Sequence, residues 1–403
     1  MTNTNTDKLA LHGGTPVRGE EKVWPKWPVY DATEEQALLD VLHSGKWFYG
    51  ERVAAFERAY ADFQDAAHCI SANSGTSALE IVLEALGIGP GDEVIIPPYT
   101  FVATASAVMR VGAVPVFADL DLSWCLDPQQ VRAAISKNTR AIMPVHFGGR
   151  ISDMDRFTEL AREHGIPIIE DACHSWGGKW KKKGTGALGT AGVFSFQMSK
   201  NMTAGEGGAI LTDDDELADV CRSISNCGRD KTGPWYHHVR VGTNARMTEF
   251  QAAVLEVQLN RLPEQTALRE RNGALLNAEL SEIDGIRPQP GSNRMTCRPY
   301  HLYCLRIDGA AFGCGREAFV EAARAEGLPV SAGYPLPLYE QPALKEYLAN
   351  HKYPQYQCPM AEDLCYTSGM WLTHEVLLGS EEDMWDIVAI VKKIKDHARD
   401  LRE

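Results

Sequence analysis

The sequence has no run of about 18 consecutive apolar residues, roughly the minimum for a helix that crosses a bilayer, so no membrane partner is expected. The opening Met1-Thr2-Asn3-Thr4-Asn5-Thr6-Asp7-Lys8 has neither a basic start nor an apolar stretch and does not read as a secretory signal. These residues are polar and are expected to fray. Ten cysteines are present without one C-x-x-C pair, and Cys69 and Cys304 sit in apolar runs. That is the pattern of reduced, buried thiols in a cytoplasmic protein and not of a disulfide framework or zinc site. Twelve histidines include no H-E-x-x-H, and the adjacent His237-His238 is a poor metal pair, so no metal is expected. The formal charge is -14, with no basic block longer than Lys181-Lys182-Lys183. Such a surface repels nucleic acid. Internal repeats and low-complexity tracts are also missing.

What is present is ordinary in bulk and specific in order. A chain of 403 residues exceeds one compact core and suits two domains. The expected division is an N-terminal arm over 1–30, a large domain over 31–262 and a small one over 263–403. Thr33 with Gln36 reads as a capping box for a first helix closed by Gly45. Strands are then expected at 68–70, 93–96, 114–117, 141–145 and before Asp171, with helices over 77–86, 100–111, 128–135 and 153–164. Short apolar strands between amphipathic helices predict an α/β architecture, a mostly parallel sheet covered on both faces. Thr248 and Gln251 form another capping box, opening a helix to about 261. Pro263 is expected to break or kink it before helix resumes to about 280. Beyond it, an alternating strand (301–307), a helix (316–326) and a terminal helix (381–399) predict a small α+β domain of about 140 residues.

Lys200 follows the apolar run Phe194-Ser195-Phe196 and precedes a glycine-rich turn, Gly205-Glu206-Gly207-Gly208. Taken alone it reads first as a solvated loop lysine, as most lysines are. Asp171 changes that weighting, because it ends the strand-like Ile168-Ile169-Glu170, and ligands in open α/β sheets sit outside the strands' carboxyl ends. An amine able to form a Schiff base, facing a carboxylate able to hold a ring nitrogen protonated, suits pyridoxal phosphate. A helix cap or a surface ion pair remains the alternative for Asp171. Ser74-Gly75-Thr76-Ser77 follows a strand and opens a helix, so its N–H groups and hydroxyls face an anion, although Ser-Gly-Thr is also a common cap.

These residues stand in six ordered motifs: Asn73-Ser74-Gly75-Thr76-Ser77-Ala78-Leu79, Pro97-Pro98-Tyr99-Thr100-Phe101, Pro144-Val145-His146, Glu170-Asp171-Ala172-Cys173-His174, the Lys200 run, and Gly242-Thr243-Asn244-Ala245-Arg246-Met247. In them the chain, from about Leu9 to its end, resembles the DegT-type sugar aminotransferases, pyridoxal-phosphate enzymes of fold type I (aspartate-aminotransferase-like). The resemblance implies that Gly75, Thr76 and Ser195 hold the phosphate and that Asn244 reaches the phosphate of a partner subunit, making a homodimer with composite sites. It also implies that Phe101 stacks on the ring and that His174 bonds the phenolic oxygen. By their local context, Phe101 could equally be core, His174 a packed structural residue and Asn244 a turn residue.

The implied reaction has two halves, in which Lys200 carries the Schiff base and shuttles a proton. Glutamine or glutamate as amino donor comes from the resemblance alone. The Lys200 run and Trp371-Leu372-Thr373-His374-Glu375-Val376-Leu377-Leu378 look more like the aminocyclitol (scyllo-inosose) and aminohydroxybenzoate branch than the nucleotide-sugar branch. A keto-cyclitol or free keto-sugar acceptor is therefore expected, with a nucleotide-linked keto-sugar as the alternative. Family dehydratases carry histidine in place of the lysine, so Lys200 disfavours elimination. A non-catalytic cofactor-binding regulator is disfavoured by the intact Asp171/Lys200 pair.

Overall fold

The structure is a computed structural model that describes residues 8–234, 236–353 and 355–401; the expected fraying of residues 1–7 lies outside the described residues. Strands β1 (His68–Ala72), β2 (Glu93–Ile96), β3 (Val114–Phe117), β4 (Thr139–Ile142) and β5 (Ile169–Asp171) come first, followed by a short hairpin, β6 (Lys179–Trp180) and β7 (Lys183–Gly184). β8 (Ala191–Ser195) and β9 (Gly208–Thr212) complete the first half. β3-β2-β4 is parallel, and β5-β8-β9-β1 is mixed, with β9 antiparallel to both neighbours. Parallel bridges Ile142↔Ile168 and Val145↔Asp171 join the two groups, giving the continuous order β3-β2-β4-β5-β8-β9-β1. β2, β3, β8 and β9 are buried along their whole lengths, as strands covered on both faces must be.

The first helix, Ala32–Ser44, is capped two residues earlier than expected, at Asp31. Asp31 is extended and accepts from Thr33 N at 2.8 Å, while Glu34 Oε2 accepts from Asp31 N at 2.9 Å. Gln36 donates to Asp40 instead, at 2.7 Å. Asp at the cap with Glu three residues on is simply the stronger pair. Thr248 and Gln251 do form a capping box. The helix they open runs from Glu249 to Ser281, through Pro263, without the break that was one of the two expected outcomes. A mid-helix proline costs about 3 kcal/mol. Packing on both sides of it offsets that cost: the helices Ala32–Ser44 and Glu51–Phe63 lie against this helix, as does Glu381–Asp396. The expected boundary at 262/263 thus falls inside one rigid element.

β10 (Ile286–Pro288), β12 (Leu302–Ile307) and β13 (Gly369–Thr373) form an antiparallel sheet, and β11 (Met295–Cys297) pairs with β6. Leu9 is buried in the core made by Leu276, Leu280, Ile307 and the helix Glu381–Asp396. Arg18 bridges Asp383 and Asp386 at 2.6 and 2.7 Å, so the N-terminal arm is tied to the last helix. Among the described residues, no helix is long and apolar enough to cross a membrane.

Candidate active site

Sheet order places β5 beside β8, so Asp171 and the Ser195-to-Lys200 turn leave the same edge of the sheet. Asp171 is 5% exposed. Its Oδ2 accepts from Thr104 Oγ1 at 2.8 Å and its Oδ1 from Cys173 N at 3.2 Å. Glu170, pointing to the opposite face, is fully buried and accepts from the N–H groups of Gly186, Leu188 and Gly189 at 2.9, 2.7 and 2.7 Å. His146 Nε2 donates to it at 2.9 Å, which explains the Pro144-Val145-His146 motif as a brace for the end of β5.

Ser74 caps the helix Gly75–Ala85 by accepting from Ser77 N at 3.1 Å, and Ala78 N makes the first backbone bond, to Ser74 O. The N–H groups of Gly75 and Thr76 therefore remain at the helix mouth. A Cβ on Gly75 would lie 2.8 Å from Ser195 Cβ and 3.2 Å from Cys173 Sγ, so only glycine lets this helix mouth approach β8 so closely. Gly75, Thr76, Asp171, Cys173 and Ser195 converge at one place.

Lys200 is half-buried, with its amine 5.8 Å from the centre of the Trp176 ring. Removal of the amine from water lowers its pKa, a shift that the nearby Cys173 and Asp171 partly oppose. His174 is buried and held well below 6.5, first by burial and then by Lys200. Its Nδ1 accepts from Gly148 N at 3.3 Å, which places the ring proton on Nε2. His301, which the sequence reading did not single out, lies 4.3 Å from His174 ring to ring; Thr104 and Trp176 were also missed. The signal available was only that Thr104 and Trp176 fall within a few residues of the motifs.

Phe101 is not in a helix. The expected helix over 100–111 is shorter, Ala103–Arg110, and Phe101 precedes it at 57% exposure, which rules out the core reading. Asn244 is exposed, bridged antiparallel to Asn226, and makes no side-chain hydrogen bond among the described residues. The peptide beside it is tied to the phosphate-type loop, since Asn73 N donates to Ala245 O at 2.7 Å. His238 of the adjacent pair spends its Nδ1 on the Cys227 carbonyl at 2.7 Å.

Residues 28–392 match the DegT/DnrJ/EryC1/StrS aminotransferase family. The chain is 40% identical over 421 residues to an L-glutamine:2-deoxy-scyllo-inosose aminotransferase of Streptomyces kanamyceticus, covering 97% of this chain and 98% of that one. It is 37% identical over 376 residues to a 3-amino-5-hydroxybenzoate synthase of Amycolatopsis mediterranei (strain S699), covering 91% and 96%. The crystal structure of a 3-amino-5-hydroxybenzoic acid synthase superposes with a TM-score of 0.85 at 36% identity, covering 92% and 97%. The α/β architecture is that of fold type I aminotransferases, as the motifs implied. The chain belongs to the DegT/DnrJ/EryC1/StrS aminotransferase family and is a pyridoxal-phosphate-dependent aminotransferase.

Proposed function

We propose that this enzyme moves an amino group from glutamine to a free keto-cyclitol or related keto-sugar, with the cofactor held between Asp171 and Lys200. The observation that carries the site is the Lys200 amine, whose pKa burial lowers, at the same sheet edge as a buried and pre-oriented Asp171. The substrate class follows the relatives, whose names specify glutamine and a deoxy-scyllo-inosose.

The residues fit the cofactor. Gly75 keeps a cradle open where a side chain would collide with Ser195, and the Gly75 and Thr76 N–H groups with the Ser195 hydroxyl offer donors to a phosphate. When bound, pyridoxal phosphate supplies an electron sink for the carbon that loses its proton. Asp171, steadied by Thr104, keeps a proton on the ring nitrogen. His174 would offer its Nε2–H to the phenolic oxygen, and Phe101 would offer an apolar face. Lys200 Nζ would take the proton from the donor's α-carbon and return it to the cofactor's carbon on the far side of the shared nitrogen, then run the same transfer backwards for the acceptor. Lysine at this position supports amino transfer over elimination.

Asn244 completes the phosphate site of a second copy. Trp47, Phe48 and Tyr49, consecutive in the chain, are exposed large hydrophobics, as are Tyr236 and Val241, and a homodimer would cover them. The test is a donor and acceptor screen that follows cofactor absorbance through each half-reaction. Glutamine should discharge the oxidised form, and a keto-cyclitol should restore it. Restoration by nucleotide-linked keto-sugars alone would replace the acceptor assignment. Borohydride reduction with peptide mapping should label Lys200.

A further inference from the structure

Behind the Lys200 turn lies a buried polar chain that the proposed reaction does not use. Arg269, on the helix Glu249–Ser281, is 0% exposed. Its Nε and Nη1 have no hydrogen-bond partner among the described residues. Burial pushes it down to about 9, with Glu375 opposing the shift. A guanidinium in this state costs stability, although its central carbon lies 5.8 Å from the centre of the Trp27 ring. Complete burial also keeps it from meeting a substrate.

Its remaining nitrogen, Nη2, lies 3.2 Å from His374 Nδ1. Arginine can only donate, so Nδ1 accepts and the single ring proton sits on Nε2. That Nε2–H donates to the Ser199 carbonyl at 3.1 Å, the peptide that joins Ser199 to Lys200. A protonated His374 would set an N–H against Arg269, and burial together with Arg269 holds this imidazole well below 6.5. The turn is tied elsewhere too. Trp27 Nε1 donates to Met198 O at 3.0 Å while its ring meets His374 edge-on at 4.5 Å. Asn201 joins His301 Nδ1 and the Pro299 carbonyl, each at 2.9 Å.

We infer that Arg269 and His374 are positioning residues for Lys200: Arg269 locks His374 in the tautomer whose Nε2–H grips the Ser199 carbonyl, and that grip aims the lysine amine. The inference rests on the role proposed for Lys200. It is tested on the full-length protein, freed of cofactor and remixed with pyridoxal phosphate. Three quantities are read: the limiting rate of covalent capture by Lys200 at saturating cofactor, the cofactor dissociation constant, and the melting temperature.

His374→Leu and Arg269→Met should each slow the limiting capture rate about fivefold, the effect of one lost hydrogen bond of about 1 kcal/mol. His374→Gln, whose amide N–H can reach the Ser199 carbonyl, and Arg269→Lys, still a pure donor, should recover most of that rate. A merely structural role would lower the melting temperature and cofactor affinity, leave the limiting rate unchanged, and make Gln no better than Leu; that result overturns the inference. Borohydride labelling of a lysine other than Lys200 in the unaltered protein overturns both this inference and the proposed function. Labelling at Lys200 with an unchanged rate in His374→Leu overturns this one alone.

Discussion

Asp171 is set before any ligand arrives, by a hydroxyl and a backbone N–H on its two oxygens. Asp171→Asn preserves the shape and one acceptor but loses the charge that keeps a ring nitrogen protonated. Proton abstraction should slow by roughly 10²–10⁴-fold, while the stability change stays below about 2 kcal/mol. Half-reaction kinetics and thermal melts on the one variant decide; a large loss of stability with normal rate would make Asp171 a structural cap.

The three imidazoles of His174, His301 and His374 give a second residue-scale expectation. All are held well below 6.5, chiefly by burial. Below that value the unfolded chain binds protons that the folded chain refuses. Stability therefore falls as pH falls, by up to about 1.4 kcal/mol per pH unit for each imidazole. Denaturant unfolding of cofactor-free protein between about pH 7 and 5 should show this slope, and His301→Gln should reduce it by up to about a third. An equal slope in the variant would show that His301 is not kept neutral.

Among elements, the contact of the helix Gly75–Ala85 with β8 sets the geometry of the phosphate cradle. Gly75→Ala puts a carbon within 2.8 Å of Ser195 Cβ, so one of the two must retreat. Overpacking of this kind costs about 1–3 kcal/mol, and cofactor affinity should fall by tenfold or more. Titration with pyridoxal phosphate measures it, and an unchanged dissociation constant would remove this helix mouth from the site.

β2 and β3 were readable to the residue, because four apolar residues between helical patterns leave little choice in a covered sheet. The motif residues around Asp171 and Lys200 were readable because strand ends concentrate chemistry. Phe101 was not, since apolar composition cannot tell a loop at a sheet edge from the first turn of a helix. Pro263 does not end its helix, because its local cost acts against packing on both flanks. The link of Arg269, His301 and His374 to Lys200 was not readable for another reason: they lie 69, 101 and 174 positions beyond it, and only the fold brings them together.

At the scale of the whole molecule, the exposed Asn244 and the exposed Trp47, Phe48 and Tyr49 predict shared sites. Variants of Asn244 and Lys200, each impaired alone, should complement when mixed. In a mixed dimer one site receives both defects and the other neither, so up to about half of the activity per heterodimer returns. A fully active monomer in sedimentation, or confirmed heterodimers without recovery, would exclude composite sites.

The turn that presents Lys200 is fastened by Trp27 from the start of the chain and by His301 and His374 from its last third. Synthesis proceeds from one end, so the lysine is made long before two of its fasteners exist. A nascent or truncated chain that stops short of residue 301 has the reactive amine and the carboxylate yet lacks their alignment. Competence arrives late, as a property of the finished polypeptide, because only the complete chain fastens this turn from both ends.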